Sequence, residues 1–385
     1  VYAHRDRLTF TLPQLPAYRI DAPETVTVTL PPASVVSRNE IRATRSRTWP
    51  TMWLSLLSPA VVPLIIDTDM GGGGCRDVDD VAAVCMASAL VKSGEAELLA
   101  VMQNTKPAQT AGVTSVLLHY YGLDSVPIGA YKGTDLQDDG QLSYVADLVD
   151  NWPSPIKNTS QVPDAVELYR TTLAAAADRS VAIASIGMLT NLAALLKTDR
   201  DLVARKVKTL AIMGGGYPHS DVTSAAVDAA GRSGRNANGC ECNFCCAYNH
   251  GLDRAVASAA SAYVVENVPP EVHVVYSGME VGVRVLSGGP LTACAPKEDP
   301  CRQAFIDNEG AGKSRFSWDP LTTLVAVRGP AAAACSYSDE GGRNTVDAAT
   351  GTNTWVDGPP TNQTFLLLHN ATAAGAAINE LLCQL

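Results

Sequence analysis

The 385-residue chain has no run of the ~20 apolar residues that a helix needs to span a bilayer. Its nearest approach, "TMWLSLLSPAVVPLII" (Thr51 to Ile66), is interrupted by Pro59 and Pro63. Positive charge is also in short supply. Twenty-nine Lys and Arg face 39 Asp and Glu, a net charge of −10, which argues against nucleic acid or an anionic membrane surface as partner and favours a small neutral or cationic ligand, or a metal. The first residues, "VYAHRDRLTF", hold no apolar signal-peptide core and no initiator Met. The sequence therefore reads as a fragment or a processed form, with the compartment, cytoplasmic or secreted, left open. Cys242 and Cys245 form a C-x-x-C within "GCECNFCC", but no partner C-x-x-C exists, which argues against structural zinc. Of the ten cysteines, Cys294 and Cys301 in "CAPKEDPC" are expected to close a local loop as a disulfide. Sequons at Asn158, Asn362 and Asn370 suit a secreted protein, although a chain this long carries about two by chance.

What is present is an ordinary apolar fraction, 46%, enough for a sizeable core. Residues 1–58 read as an N-terminal extension, partly β or irregular, in which "ETVTVTLPPASVV" suggests a short edge strand and a turn. Residues 59–385 read as one domain. "VVPLIID" is a short apolar run typical of a strand buried on both faces. "DDVAAVCMASALVKSG" is helical with Gly94 as C-cap. The strands "AELLAVMQN", "VPIGAY", "VAIASIG" and "VKTLAIMGGG" then alternate with the helices "KPAQTAGVTSVLLHYYG", "VELYRTTLAAAADRS" and "LTNLAALLKTD". That alternation predicts an α/β fold: a doubly wound, mostly parallel central sheet flanked by helices. Ligands of such sheets lie beyond the carboxyl ends of the strands, where Asp67, Asp69, Asn104 and Gly187 fall.

The stretch "LIIDTDMGGGGCRDVDD" (Leu64 to Asp80) crowds Asp67, Asp69, Asp77, Asp79 and Asp80 around four glycines. Like charges so close repel unless a cation or a set of donors compensates them. A phosphate-cradling loop would need G-x-x-x-x-G-K-[ST], and neither the Lys nor the hydroxyl is there. The alternating oxygens of an EF-hand are missing too. A metal-dependent phosphatase of the haloacid-dehalogenase type also begins with D-x-D, but usually has Thr or Val where this chain has Gly71. A solvated helix start would explain Asp79 and Asp80, but not Asp67 and Asp69.

"IIDTDMG…DVDDVAAV" resembles the D-T-D-x-G-x-D-D signature of the inosine-uridine preferring nucleoside hydrolase family. "AVMQN", "VAIASIGMLTNLAALL", "VKTLAIMGGGYP", "CECNFC" and "SWDPLTTLVAVRG" resemble its later blocks in order and spacing, over residues ~61 to ~335. The resemblance implies hydrolysis of the N-glycosidic bond of ribonucleosides to free base and ribose, through a Ca2+-bound water. It assigns Asp69 as general base and metal ligand, Asp80, Asp319 and the Ile186 carbonyl as further ligands, and Asp79, Asn104, Glu241 and Asn243 as ribose contacts. Asp67 becomes an orienting group and Asp77 a helix N-cap. The partner is a small ribonucleoside, and the quaternary state a homodimer or homotetramer, as in related enzymes.

Three departures stand out. The glycine stretch lengthens the first loop, which can shift the register of Asp77, Asp79 and Asp80. Trp318 stands where well-studied relatives carry a His; an indole can stack on a base or pack a wall, but cannot protonate it. Cys242 and Cys245 flank Asn243; buried as small hydrophobes they would be harmless, whereas a disulfide there would distort the loop. These departures motivate an alternative, a catalytically silent nucleoside- or pentose-binding protein on the same fold. His219 and Glu280 could line the pocket, but a loop and a surface or cap role suit them as well, while Arg328 and Trp355 read as structural.

Overall fold

The computed structural model describes residues 60–385 except 72–77, 137–141, 219–239 and 246–253, and before residue 60 the backbone of three short strands. By internal contacts the chain divides into two units, Val1–Pro59 and Ala60–Leu385. In the first unit, β1 (Tyr2–His4), β2 (Arg7–Phe10) and β3 (Val26–Thr29) form an antiparallel sheet in that order. β3 is thus an edge strand, as "ETVTVTL" suggested; the prolines after it lie outside the described residues.

The second unit is built on eight strands. They are β4 (Val62–Thr68), β5 (Ala96–Gln103), β6 (Ile128–Ala130), β7 (Val181–Ser185), β8 (Val207–Met213) and β9 (His273–Ser277), then two that come late in the chain. Between these lie two small antiparallel pairs, β10 (Leu286–Ser287) with β11 (Arg315–Phe316), and β13 (Gly342–Val346) with β14 (Asn353–Asp357). The late sheet strands are β12 (Cys335–Tyr337) and β15 (Gln363–Leu368), and the order is β12-β15-β9-β8-β7-β4-β5-β6. All neighbours are parallel except β12 against β15.

β4 is central because its apolar run serves both faces. Leu64 and Ile66 pack into one core layer and Ile65 into the other, all fully buried. From β4 the chain winds one way through β5 and β6, then returns to β4's other edge at β7 and continues to β8 and β9. The β4–β7 junction is therefore the switch point, where the crevice of a doubly wound sheet opens.

Helix α1 (Asp79–Lys92) is buried from Asp79 through Leu90 and packs against the helices Trp318–Arg328 and Ala371–Leu382. It ends as expected at Gly94, whose φ of 75° lets the Glu95 N–H donate back to the Leu90 carbonyl at 2.9 Å. α2 (Thr110–Tyr120), α4 (Ala165–Ala175) and α5 (Thr190–Lys206) match the helical stretches read from sequence. α3 (Ser143–Asn151) had no such reading. It secures the start of the glycine stretch: the Leu142 N–H donates to the Gly71 carbonyl at 2.9 Å, and a side chain at Gly71 would collide with Val145. No helix among the described residues is long and apolar enough to cross a membrane.

The cysteine pairing differs from expectation. Cys294 bonds not to Cys301 but to Cys383, 89 residues away. Cys301 is a buried free thiol, because "DPC" is a helix start rather than a loop: Asp299 caps the helix Pro300–Glu309 by accepting the Arg302 N–H at 3.0 Å, and Cys301 faces the core. Closing so long a loop stabilises the chain by up to about 4 kcal/mol in the chain-entropy account. Non-reducing peptide mapping should yield a Cys294–Cys383 cross-link, and Cys383→Ser should lower Tm while Cys301→Ser leaves the link intact. A Cys294–Cys301 cross-link would overturn this pairing.

Candidate active site

The carboxyl end of β4 delivers three polar side chains into the protein. Asp67 is fully buried. Its Oδ1 accepts from Asn104 Nδ2 at 2.9 Å and Asn191 Nδ2 at 3.1 Å, and its Oδ2 from the Tyr169 hydroxyl at 2.8 Å. Burial nonetheless pushes its pKa up to about 7, the three donors working against that rise. Asp67 is thereby tied to the end of β5, to α5 and to α4. Asn104 is held in turn, with its backbone carbonyl accepting from Thr190 Oγ1 at 2.9 Å. Its Oδ1 is buried and has no hydrogen-bond partner among the described residues.

Asp69 lies two residues further on, 2% exposed, against the end of β7. Glycine is required opposite it. A Cβ at Gly187 would sit 2.7 Å from the Asp69 backbone nitrogen, from its Oδ1 and from Asn104 Nδ2. The preceding Ile186 is buried and donates its N–H to the Asp67 carbonyl at 2.7 Å, which fixes the β7 end against β4.

Asp79, Asp80 and Asp319 form a buried group whose carboxylate oxygens lie within 4.8 Å of one another. Asp79 Oδ2 accepts the N–H groups of Trp318 (2.9 Å) and Asp319 (3.1 Å), so it caps the helix Trp318–Arg328 from outside. Asp80 accepts from the Thr68 hydroxyl. The ligand set read from the sequence had Asp69, Asp80, Asp319 and the Ile186 carbonyl; the structure brings Asp79 together with Asp80 and Asp319, and places Asp69 beside Gly187 and Asn104. Those two N–H groups hold the Asp79 carboxylate at Asp319. At α1 the N-cap position falls on Val78, without a side-chain acceptor, so it is not occupied by Asp77, which itself lies outside the described residues. A buried set of hard carboxylate oxygens fits Ca2+ or Mg2+ rather than a thiolate- or imidazole-seeking metal.

Glu241 and Asn243 occupy a tight turn beside the end of β8. Glu241 accepts from Gly215 N at 3.1 Å and, through both oxygens, from Asn243 N at 3.0 and 3.1 Å. Burial raises its pKa to about 7 in spite of these backbone donors. Asn243 Nδ2 donates to the Met213 carbonyl at 3.2 Å. A disulfide joins Cys240 to Cys245 across the ends of this turn, and Cys242 is disulfide-bonded as well. The bridge between the flanking Cys242 and Cys245 that would distort the loop is not the pairing observed, because Cys245 bonds to Cys240.

Trp318 is 6% exposed and its indole is committed. Nε1 donates to the Met279 carbonyl at 2.9 Å, Phe316 meets the ring edge-on, the Arg315 guanidinium lies over it, and a side chain at Gly282 would collide with it. It packs a wall. Glu280 folds its carboxylate back over Gly278, in the short helix Met279–Gly282. Arg328 pairs with Glu95 through two 2.7 Å bonds, and Trp355 packs with Tyr217 and Phe365. His219 lies outside the described residues. The sequence reading singled out none of Thr68, Tyr169, Thr190 and Asn191 as site residues, although the block "GMLTNLA" contained two of them.

Two outcomes follow from this geometry. Gly187→Ala should lower stability by about 1–3 kcal/mol, the cost of overpacking a tight site, because the new methyl meets backbone; an unchanged Tm counts against the close approach. Glu241, whose pKa of about 7 lies above the ordinary 4.5, contributes fully below its unfolded value and loses stability as pH rises through about 7, to a total of about 3 kcal/mol. Glu241→Gln should therefore show a shallower fall of Tm between about pH 5 and pH 8 than the parent. Parallel curves would contradict the raised value.

Comparison with known proteins agrees with this architecture. Residues 64–245 match the family model described as Inosine-uridine preferring nucleoside hydrolase. No curated protein matches the chain by sequence. Among solved structures, the plant nucleoside hydrolase PpNRh1 is 18% identical with a TM-score of 0.59, over 84% of this chain and 99% of its own. The inosine-uridine preferring nucleoside hydrolase from Bacillus anthracis is 13% identical with a TM-score of 0.59, over 84% and 100%. The type III effector protein XopQ, complexed with adenosine diphosphate ribose, is 16% identical with a TM-score of 0.57, over 86% and 95%. Residues 64–245 thus carry the sequence signature of the inosine-uridine preferring nucleoside hydrolase family, on the fold of its solved members.

Proposed function

We propose that this protein hydrolyses the N-glycosidic bond of ribonucleosides, releasing free base and ribose. The observation that carries this reading is the buried group of Asp79, Asp80 and Asp319, gathered from opposite ends of the domain at the strand ends where Asp69 and Asn104 also lie. Asp80 and Asp319, with Asp79 in the same group, would hold Ca2+, and Asp69 and the Ile186 carbonyl would add further oxygen donors. Bound there, Ca2+ supplies charge that offsets the clustered carboxylates and makes a nearby water more acidic.

Asp69 acts as general base. It takes the proton as the water oxygen bonds to the ribose anomeric carbon and the carbon–nitrogen bond breaks, its electron pair leaving with the base. Positive charge grows on the sugar in such a displacement, and the surrounding carboxylates stabilise it. Asn104 offers its unpartnered Oδ1 to a ribose hydroxyl, and Glu241 and Asn243 hold the other side of the sugar. Asp67, fixed by three donors, keeps the β4 end in place. Trp318 delivers no proton to the departing base, since its one N–H is spent on the Met279 carbonyl.

That last feature, with the likeness to an effector complexed with adenosine diphosphate ribose, supports a second reading: a ribose-binding protein without turnover. One experiment separates the two. Incubation with inosine, uridine, adenosine and cytidine should release base in the presence of Ca2+ and not after chelation. Asp69→Ala should lower kcat by about 10²–10⁴-fold, the usual worth of a general base, with Tm little changed. Calorimetric binding of ribose with no base released from any of the four would select the binder; normal turnover by Asp69→Ala would remove Asp69 from the chemistry.

A further inference from the structure

The three sequons differ sharply in what the fold does with their asparagines. N-glycosylation replaces one Nδ2 hydrogen by a bond to a sugar, so the folded acceptor must have a hydrogen to spare and room outside. Asn362 has neither. Its Nδ2 donates to two backbone carbonyls, Pro269 at 3.2 Å and Val272 at 2.7 Å, and so holds the entry to β15 against the entry to β9. Asn158 is half-buried in the groove formed with Ala108, Gln109, Val149 and Lys157, and its Oδ1 is taken by Ser160.

Asn370 is different. It is exposed, at the N-cap of the helix Ala371–Leu382, and its Oδ1 accepts the Ala373 N–H at 3.0 Å. Capping uses only the oxygen, so a sugar on Nδ2 leaves the helix start intact. The same helix ends at the Cys383 disulfide, and the Cys240–Cys245 bridge is a second cross-link. Such bonds belong to oxidising compartments, which in cells with N-glycosylation are also where oligosaccharide is transferred.

We propose that Asn370 is an acceptor for an N-linked glycan, and that Asn362 is excluded by the fold. In the transfer, a polyisoprenyl diphosphate-linked oligosaccharide gives up its sugar: the C1–O bond to diphosphate breaks, C1 bonds to Asn370 Nδ2, and the displaced proton leaves with the diphosphate. The proposal does not depend on the hydrolase reading.

The test is expression of the full chain through a eukaryotic secretory pathway, followed by peptide-N-glycosidase digestion in heavy-oxygen water and mass spectrometry. Asn370 should convert to labelled Asp while Asn362 stays unmodified. Asn370→Asp keeps a capping oxygen and Thr372→Ala keeps the asparagine; each should abolish the Asn370 glycan without loss of the folded protein. Read on secreted and retained chain alike, a bare Asn370 overturns the proposal, and so does a glycan at Asn362 on correctly folded protein. Were either variant to fold poorly, the unmutated chain's occupancy at the two asparagines would still decide it.

Discussion

Burying several carboxylates in one place is the constraint on which this structure turns. Asp67, Asp69, Asp79, Asp80, Asp319 and Glu241 are each 5% exposed or less, and an unpaired buried charge costs several kcal/mol. Different donors answer different members. Asp67 has two side-chain amides and a phenol, Glu241 has the backbone N–H groups of its own turn and of Gly215, and Asp79 has the start of a helix from the far end of the domain. Such donors are directional. They hold the strand ends, the glycine turns and the late helix in one geometry.

Glycine makes the approach close enough. Gly187 lets the β7 end lie against Asp69 and Asn104, and Gly214 leaves room for the Phe244 ring beneath the turn that carries Glu241. At Gly215 a φ of 77° turns the backbone N–H toward that carboxylate. The Cys240–Cys245 bridge closes the same turn covalently. The acidic group and the Glu241 turn are thus supported by different means: the first by core packing around α1, and the second by glycines and a cross-link near the end of β8.

Much of the fold could be read from the chain alone. β4, β5, β7 and β8 announce themselves as short apolar runs ending in polar or glycine residues, and α1 by its length and its Gly94 stop. The alternation implied the parallel sheet, while the strand order came only with the structure. Less legible were α3, which follows a polar and glycine-containing segment, and the antiparallel additions after β9. The partner of Cys294 was hidden because connectivity is not encoded in spacing: Cys301 is seven residues away and Cys383 is 89 away, yet only the latter meets it. The grouping of Asp79 with Asp80 and Asp319 was not legible in the sequence. Asp79 and Asp80 are adjacent in sequence, and what sends Asp79 to Asp319 is a pair of N–H groups 239 and 240 residues downstream.

Two helix N-termini converge on the acidic group, that of α1 carrying Asp79 and Asp80 and that of Trp318–Arg328 carrying Asp319. Each helix end is worth roughly half a positive charge. Together they offset about one of the three negative charges that the ionised carboxylates would bear, so helix ends alone cannot neutralise the group. The Thr68 hydroxyl adds a donor to Asp80, and a divalent cation such as Ca2+, which accepts several oxygens at once, is the kind of charge that would complement such a group. A proton on one carboxylate would meet the charge balance only partly, and would remove an oxygen from any ligand set. The convergence of the two helix ends thus makes so dense a cluster of carboxylates tolerable in the fold, and its oxygens are of the kind that could hold a hard divalent ion.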